Sequence, residues 1–135
     1  MFFFVVYCSF CLAAPAVKWG KDNESRAREA YENITGFTVT PMGLTLHQQY
    51  PYLGATADGL VNDCIVVELK CPYSVRDKSA AEYQHIAEED GKFVLKKTSP
   101  YYCQVQGEMA IKKVDVCHFV AWTTVDTAVI EVKFD

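Results

Sequence analysis

Apolar residues recur every three or four positions in two stretches of the chain, which is the spacing of one face of a helix. In the first stretch, residues 22–34, Asp22 or Asn23 is placed to cap a helix and Gly36 is placed to end it. The second stretch starts at Ser99-Pro100 and ends near residue 113. We therefore predict two amphipathic helices, whose inward stripes are Ala27, Ala30, Tyr31 and Ile34 in the first and Tyr102, Val105 and Met109 in the second.

Strand-like stretches, rich in β-branched and aromatic residues and bounded by turn signals, fill most of the remaining chain. An Asn62-Asp63 turn separates two of them, and Pro72 follows the end of the second. The predicted strands are residues 37–40, 44–47, 53–61, 65–70, 92–97, 116–123 and 128–134, and a polar helix is predicted at 78–89. This order of elements predicts an α/β fold, a sandwich in which helices flank both faces of a mixed central sheet.

Composition limits the class of protein without identifying it. The chain has 135 residues, of which 50% are hydrophobic and 22% are charged, as expected for one globular domain rather than a disordered or collagen-like chain. Its formal net charge of −4 and its pI of about 5.3 argue against binding of nucleic acid through overall positive charge. Any basic surface would have to be local.

The first 17 residues contain no charged side chain. They resemble the apolar region of a secretory signal, but no basic residue precedes the apolar run, and the run is shorter than the roughly 20 residues of a membrane span. A buried element or the start of a truncated reading frame is the alternative. We predict an apolar segment at 1–17 and one domain at 18–135. An intracellular location, nuclear or cytoplasmic, is expected unless residues 1–17 are a signal peptide, which implies secretion.

Six cysteines form an even set that permits disulfides if the chain is exported. Cys8 and Cys11 form a single C-x-x-C pair, which lacks the second pair of ligands that a zinc site needs. The other four lie within or beside apolar runs, where a free cysteine behaves as a small buried hydrophobic residue. They are Cys64, Cys71, Cys103 and Cys117. Their positions favour free thiols over a disulfide framework.

Side chains alternate between the two faces of a strand, so Glu68 and Lys70 in the predicted strand 65–70 point the same way. Asp58 lies ten residues upstream of Glu68, and antiparallel pairing of neighbouring strands would bring the two carboxylates together. Carboxylate oxygens are the ligands that Mg²⁺ prefers, and a divalent ion would relieve their mutual repulsion. Each feature alone has an ordinary alternative, an exposed ion pair or an Asp-Gly turn. Together they predict a metal site flanked by Lys70.

Two helical residues complete this cluster. Glu24 precedes Ala27 by three positions on the first predicted helix, which places it on the face turned towards the sheet. Gln104 lies on the second helix, in line with Gly107 and Glu108. A glutamate that interacts with the helix dipole and a solvent-facing glutamine are the alternatives.

Four motifs in this order resemble the YqaJ-like viral recombinase family, which is the lambda-type exonuclease branch of the PD-(D/E)xK, or restriction-endonuclease-like, nucleases. The resemblance covers roughly residues 18–135. Ala57 stands where the family has proline before the aspartate, and the apolar residues 1–17 replace helical sequence of the lambda-type enzymes. The motifs are Trp19-Gly20-Lys21-Asp22-Asn23-Glu24, Gly54-Ala55-Thr56-Ala57-Asp58-Gly59-Leu60, Glu68-Leu69-Lys70-Cys71-Pro72 and Tyr102-Cys103-Gln104-Val105-Gln106.

The resemblance implies a restriction-endonuclease-like fold and a Mg²⁺-dependent deoxyribonuclease, with Mn²⁺ as a substitute ion. It also implies exonuclease action on linear duplex DNA in recombination or repair, a homo-trimer, and a recombination or single-strand-annealing partner. Arg28 and Arg76 are further candidates for contact with substrate phosphate. The roles implied are metal ligation by Asp58, Glu68 and the backbone carbonyl of Leu69, and catalysis by Lys70 with support from Glu24 and Gln104.

Two other classes of function stay open at this point. A nuclease fold without activity would serve as a binding module, and a small secreted domain would contain oxidised cysteines. The binding module predicts loss of a ligand or of the lysine, and no such loss is present in the sequence. The secreted domain predicts fewer than six free thiols.

Overall fold

The computed structural model describes residues 14–50 and 54–135. The predicted C-x-x-C pair, Cys8 and Cys11, and most of the apolar segment lie outside these residues. The helices are α1, Ala14–Thr35, and α2, Pro100–Lys112, with one short 3-10 turn at Ala80–Glu82. The strands are β1 (Thr40–Pro41), β2 (Thr45–Leu46), β3 (Gly54–Ala55), β4 (Gly59–Val61), β5 (Ile65–Lys70), β6 (Ile86–Glu89), β7 (Lys92–Leu95), β8 (Val116–Trp122) and β9 (Thr127–Lys133).

The central sheet has five strands in the order β1-β4-β5-β8-β9. Strands β5 and β8 are parallel, and the other neighbours are antiparallel, so the sheet is mixed, as predicted. Helix α1 packs on one face, against Val67 and Val120, and α2 packs on the other, against Val66 and Phe119. The predicted α/β sandwich with helices on both faces is confirmed.

Helix α1 begins eight residues before the predicted start, so the prediction that Asp22 or Asn23 caps it is wrong. The amide of Asn23 donates instead to the backbone oxygen of Trp19, one turn earlier, at 2.9 Å. The ring of Trp19 packs 6.3 Å from that of Trp122 at the end of β8. Tertiary packing of the added turns therefore outweighs the local capping signal.

The inward stripe of α1 is predicted correctly at Ala27 and Tyr31, which are fully buried, but Ile34 is 58% exposed. The Tyr31 hydroxyl lies 2.7 Å from Nδ1 of His118, close to the start of β8. Ile34, almost one turn later, therefore lies beyond the sheet. Gly36 ends the helix as predicted, with φ of +77° and its N–H donated to Glu32.

Three predicted elements are wrong in whole or in part. The strand predicted at 37–40 is formed only at Thr40, where β1 begins. The strand predicted at 53–61 is two strands in different sheets, β3 and β4, because residues 56–58 leave the ladder between them. The helix predicted at 78–89 is the 3-10 turn followed by β6, which pairs with β7. An Asp90-Gly91 turn, in which both residues have positive φ, joins these strands, and Asp126 binds the N–H of Ala80 at 2.7 Å. Asp-Gly is typical of a β-hairpin turn, so residues 90–91 carry a local signal for the β6–β7 hairpin.

The cysteine prediction is confirmed in part. The four described cysteines are free, and Cys117 is fully buried. Cys64 and Cys103 are exposed, against the prediction, because Cys64 follows the Asn62-Asp63 turn and Cys103 faces away from the buried side of α2. Among residues 14–50 and 54–135, neither helix combines the length and apolar character that a membrane crossing requires.

Candidate active site

Strand β5 places Glu68 and Lys70 on the α2 side of the sheet. The Lys70 ammonium lies 3.3 Å from Oε2 of Glu68, and the Glu68 side chain is only 5% exposed. The two side chains share one face because β5 is regular over all six residues and is paired on both sides, with β4 and β8. The predicted acid-amine pair is therefore formed, in the interior rather than on a solvated face.

Asp58 lies just before β4, opposite the end of β5. Its Oδ2 accepts the N–H of Leu69 at 2.7 Å, and its own N–H donates to Val67 at 3.1 Å. The N–H and C=O of a strand residue point to the same side, so the Leu69 carbonyl faces the same edge, where β4 has ended. Asp58, Glu68 and the Leu69 carbonyl therefore bring oxygen atoms to one corner of the sheet.

Negative charge accumulates at this corner. Burial, the carboxylate of Glu68 and the nearby carboxyl of Glu24 together raise the pKa of Asp58 to about 8, although the hydrogen bond from Leu69 acts in the opposite direction. Glu24 extends from α1 and lines the same open cleft, of about 570 Å³, as Asp58, Leu69 and Lys70. The charged form of Asp58 is therefore disfavoured in the metal-free cleft, and a cation bound there would favour it.

Helix α2 supports Glu68 from above the sheet. The Gln104 side-chain amide donates to Oε2 of Glu68 at 3.2 Å and lies 3.4 Å from Oε2 of Glu108. Glu108 is fully buried, and its Oε1 has no hydrogen-bond partner. Burial and the neighbouring Glu68 carboxylate raise the pKa of Glu108 to about 10. It is therefore a neutral acid at pH 7, within hydrogen-bonding reach of Glu68.

The Lys70 ammonium also lies over the ring of Tyr101, 4.4 Å from its centroid. Burial lowers the pKa of Lys70, but Glu68, Tyr101 and Asp58 oppose this effect, and the net result is a raised pKa. Lys70 is therefore charged at neutral pH.

Glu108 and Tyr101 belong to the site but are not among the residues predicted for it. A signal existed for Glu108, because it follows Gln104 by one helical turn and interrupts the buried stripe of Val105 and Met109. The sequence carried no comparable signal for Tyr101.

The two arginines proposed for phosphate contact do not line the cleft. Arg76 stacks on the ring of Tyr73, with its guanidinium carbon 3.8 Å from the centroid, and donates to the Tyr73 carbonyl at 2.7 Å. Tyr73 itself lines the cleft, so Arg76 packs on a residue of the cleft lining and does not line the cleft itself. Arg28 lies one turn after Glu24 on α1, and its Nε is buried without a partner. Their contact with phosphate stays a prediction.

The donor set suits a hard divalent ion. Within the part of the chain that the structure describes, no three His, Cys, Asp or Glu side chains converge closely enough to hold a metal by themselves. Two carboxylates and a backbone carbonyl are available instead, and Mg²⁺ binds through one or two carboxylates while it keeps several waters. Burial and the neighbouring Glu68 both raise the pKa of Asp58, and such an ion would oppose both effects by favouring the carboxylate. The residues present therefore fit Mg²⁺.

The fold is that of a group of solved exonucleases. It is similar to an alkaline exonuclease from Laribacter hongkongensis, LHK-Exo, with a TM-score of 0.72 and 27% identity, and to its complex with dAMP, with a TM-score of 0.74 and 28% identity. Each match covers 92% of this chain and 60% of the other. A phage-related exonuclease from Haemophilus somnus shares the fold, with a TM-score of 0.64, 15% identity, and coverage of 96% of this chain and 66% of the other.

Residues 8–125 match the YqaJ-like viral recombinase domain, so this chain belongs to that family, and the resemblance inferred from the motifs is confirmed. No curated protein matches the sequence significantly. The chain spans about 60% of the length of LHK-Exo.

Proposed function

We propose that this chain is a metal-dependent deoxyribonuclease that acts as an exonuclease on linear duplex DNA in recombination or repair. The observation that carries the proposal is the meeting of Asp58, Glu68 and Lys70 at the open corner of the sheet. Membership of the YqaJ-like family and the likeness to two proteins named exonucleases support the same reading.

Asp58, Glu68 and the Leu69 carbonyl are the residues that would hold Mg²⁺, or Mn²⁺ in its place. When bound, such an ion acts as a Lewis acid on a phosphodiester and lowers the pKa of water. Gln104 keeps the Glu68 carboxylate oriented, because it donates to the same oxygen that faces Lys70. Glu24 lies beside Asp58 and supports the acidic side of the cleft.

Lys70 contributes a fixed positive charge. Its ammonium lines the cleft and is held against Glu68, where it can orient an attacking water and stabilise the negative charge that develops on phosphate. The net rise in its pKa favours this electrostatic role over one as a neutral base. We expect Lys70→Ala to reduce cleavage by about two or more orders of magnitude, the scale of one lost transition-state donor.

The test is digestion of DNA by the purified protein. Linear and covalently closed circular duplexes are incubated with Mg²⁺ or with a chelator, using the wild type, Glu68→Gln and Lys70→Ala. We expect metal-dependent loss of the linear substrate alone, abolished in Glu68→Gln and strongly reduced in Lys70→Ala. Matched controls are Glu88→Gln and Lys78→Ala, which change exposed residues of the same types outside the cleft and should retain wild-type activity.

The outcomes separate the alternatives. Cutting of the circle would replace the exonuclease assignment with an endonuclease on the same site. Cleavage unaffected by Glu68→Gln would refute the site. Absence of cleavage by a folded wild type would refute the proposed activity and favour a binding module, which gel-shift measurements on the same DNA would then detect.

A further inference from the structure

Lys70 is held from two sides. One side is the Glu68 carboxylate at 3.3 Å, and the other is the face of the Tyr101 ring at 4.4 Å. We infer that Tyr101 is a positioning residue, which holds the Lys70 ammonium in the cleft for the proposed nuclease reaction. This inference rests on the proposed function, because it assigns a support to the residue proposed to act on substrate.

A lysine needs such a support more than a carboxylate does. Its side chain has four rotatable bonds, and ordering it loses more rotamer entropy than ordering a carboxylate on a short stem. One contact with Glu68 restricts the ammonium to an arc around a carboxylate oxygen. A ring face on the other side restricts it further, and cation–π attraction reaches about 2 kcal/mol for a desolvated pair. The Lys70 side chain is only 23% exposed, so the pair is largely desolvated.

Tyr101 is itself fixed by contacts around its ring. The Phe119 ring lies 5.9 Å away on the sheet, and the edge of the His85 ring meets it at 4.7 Å. The Tyr83 ring lies 6.4 Å from that of Tyr101. The Tyr101 ring is thus held by β8 and by the loop at 83–85, so it offers the flexible lysine a fixed surface.

The start of α2 connects these contacts. Ser99 caps the helix and accepts the Tyr101 N–H at 3.1 Å. The same hydroxyl lies 2.9 Å from Nδ1 of His85. The cap therefore sets the backbone of Tyr101 and the neighbouring imidazole at once, so the position of the ring under Lys70 is specified by the N-terminus of α2.

The next residue supplies a matched control. Tyr102 has a lysine, Lys97, over its ring at the longer distance of 6.0 Å, and Lys97 is 76% exposed. This pair lies outside the cleft. Tyr102→Leu thus removes a tyrosine from the same turn of the same helix, together with a lysine contact, without touching Lys70.

The kinetic test compares Tyr101→Phe, Tyr101→Leu and Tyr102→Leu with the wild type on linear duplex DNA with Mg²⁺. Phe keeps the ring face, so kcat should stay within about threefold. Leu removes it, and kcat should fall about 10-fold to 30-fold, the factor that corresponds to the cation–π attraction, with KM within twofold. Tyr102→Leu should match the wild type. A wild-type kcat in Tyr101→Leu, or an equal loss in Tyr101→Phe, would overturn the inference.

A second measurement needs no activity and no variant at Tyr101. The NMR signals of the Lys70 Cε protons, assigned by their absence in Lys70→Arg, should be shifted upfield by the ring current of Tyr101. Random-coil shifts in the folded wild type would refute the contact, even if Tyr101→Leu fails to fold. If the wild type cuts no DNA while the upfield shift is present, the proposed function fails and the placement of Lys70 by Tyr101 stands.

Discussion

Replacement of Glu108 by glutamine should stabilise the metal-free protein at neutral pH. Glu108 is fully buried beside Glu68, and its pKa is raised from 4.5 to about 10. The carboxyl is therefore ionised in the unfolded chain at pH 7 and protonated in the folded one. Glutamine has nearly the same shape and carries no titrating proton. Its oxygen can accept from Gln104, and its amide can donate to Glu68 in place of the acid proton.

The size of the effect follows from proton linkage. A raised carboxyl pKa gives stability that is fully present below 4.5 and is lost as pH rises towards about 10. The loss accumulates over the roughly 2.5 pH units between 4.5 and pH 7, which at about 1.4 kcal/mol per unit is about 3.5 kcal/mol. We expect Glu108→Gln to recover up to that amount at pH 7 and almost nothing near pH 4.5.

The assay is urea unfolding in chelator at half-unit steps from pH 5 to pH 8, because a cation at Glu68 would alter the same electrostatics. The difference in free energy of unfolding between Glu108→Gln and the wild type should grow with pH, by up to about 1.4 kcal/mol per unit. Glu29→Gln, on the exposed side of α1, should differ from the wild type by less than about 0.5 kcal/mol. A difference that does not change with pH, or a variant less stable than the wild type at pH 8, would refute the assignment of Glu108 as a buried neutral acid.

Three further predictions concern the metal and the packing around β4 and β8. In thermal melts, saturating Mg²⁺ should raise the Tm of the wild type by several degrees and leave the Tm of Asp58→Asn unchanged. An equal rise of Tm in both proteins would contradict the assignment of Asp58 as a metal ligand. An alanine Cβ at position 59 would overlap Val39 Cγ1, so Gly59→Ala should lose about 3 kcal/mol of stability or fail to fold. A wild-type denaturation midpoint in this variant would show that Val39 does not pack so closely on Gly59. Tyr31→Phe should lose about 1 kcal/mol at pH 8 by removing the bond to His118. Because burial lowers the pKa of His118, the ring stays neutral to below its usual range and the loss should be the same at pH 7 as at pH 8, so a variant as stable as the wild type at both would argue against the bond.

The parts of the fold that were predictable are those whose side chains face the core at a regular period. Strands β5, β8 and β9 and helix α2 lie within two residues of their predicted bounds, because burial against both layers imposes a clear pattern on their sequences. The alternation of side chains along β5 also predicted correctly that Glu68 and Lys70 lie on one face of the sheet. Segment 78–89 has no such pattern, and its conformation depends on Asp126, which is distant in sequence. No local signal could report that contact.

The site was predictable where its residues follow from strand geometry or from the family motifs, and not where they depend on packing between elements. Glu68 contacts Lys70 and Gln104, and Asp58 lies near Glu68 and Glu24, while the catalytic and metal-binding roles of these residues stay predictions. Tyr101 and Glu108 reach the site only because α2 crosses the sheet above β5. The acidic Glu108 within the buried stripe of α2 hinted at a polar contact, but neither residue could be assigned to the site without the position of α2 over the sheet.

The register of β5 couples the fold to the site. The strand carries Glu68 and Lys70, supplies the Leu69 carbonyl, and anchors Asp58 through the Leu69 N–H, so one segment sets four groups at once. A slip of one residue against β8 would turn both charged side chains towards α1, among Tyr31 and Trp122, where burial without partners is strongly unfavourable. Alternative registers are thus excluded by the same charges that form the site. Repulsion within the acidic cluster destabilises the metal-free protein. The same cluster favours the native register, because only there does Glu68 meet Lys70 and Gln104 and does Asp58 meet the Leu69 N–H.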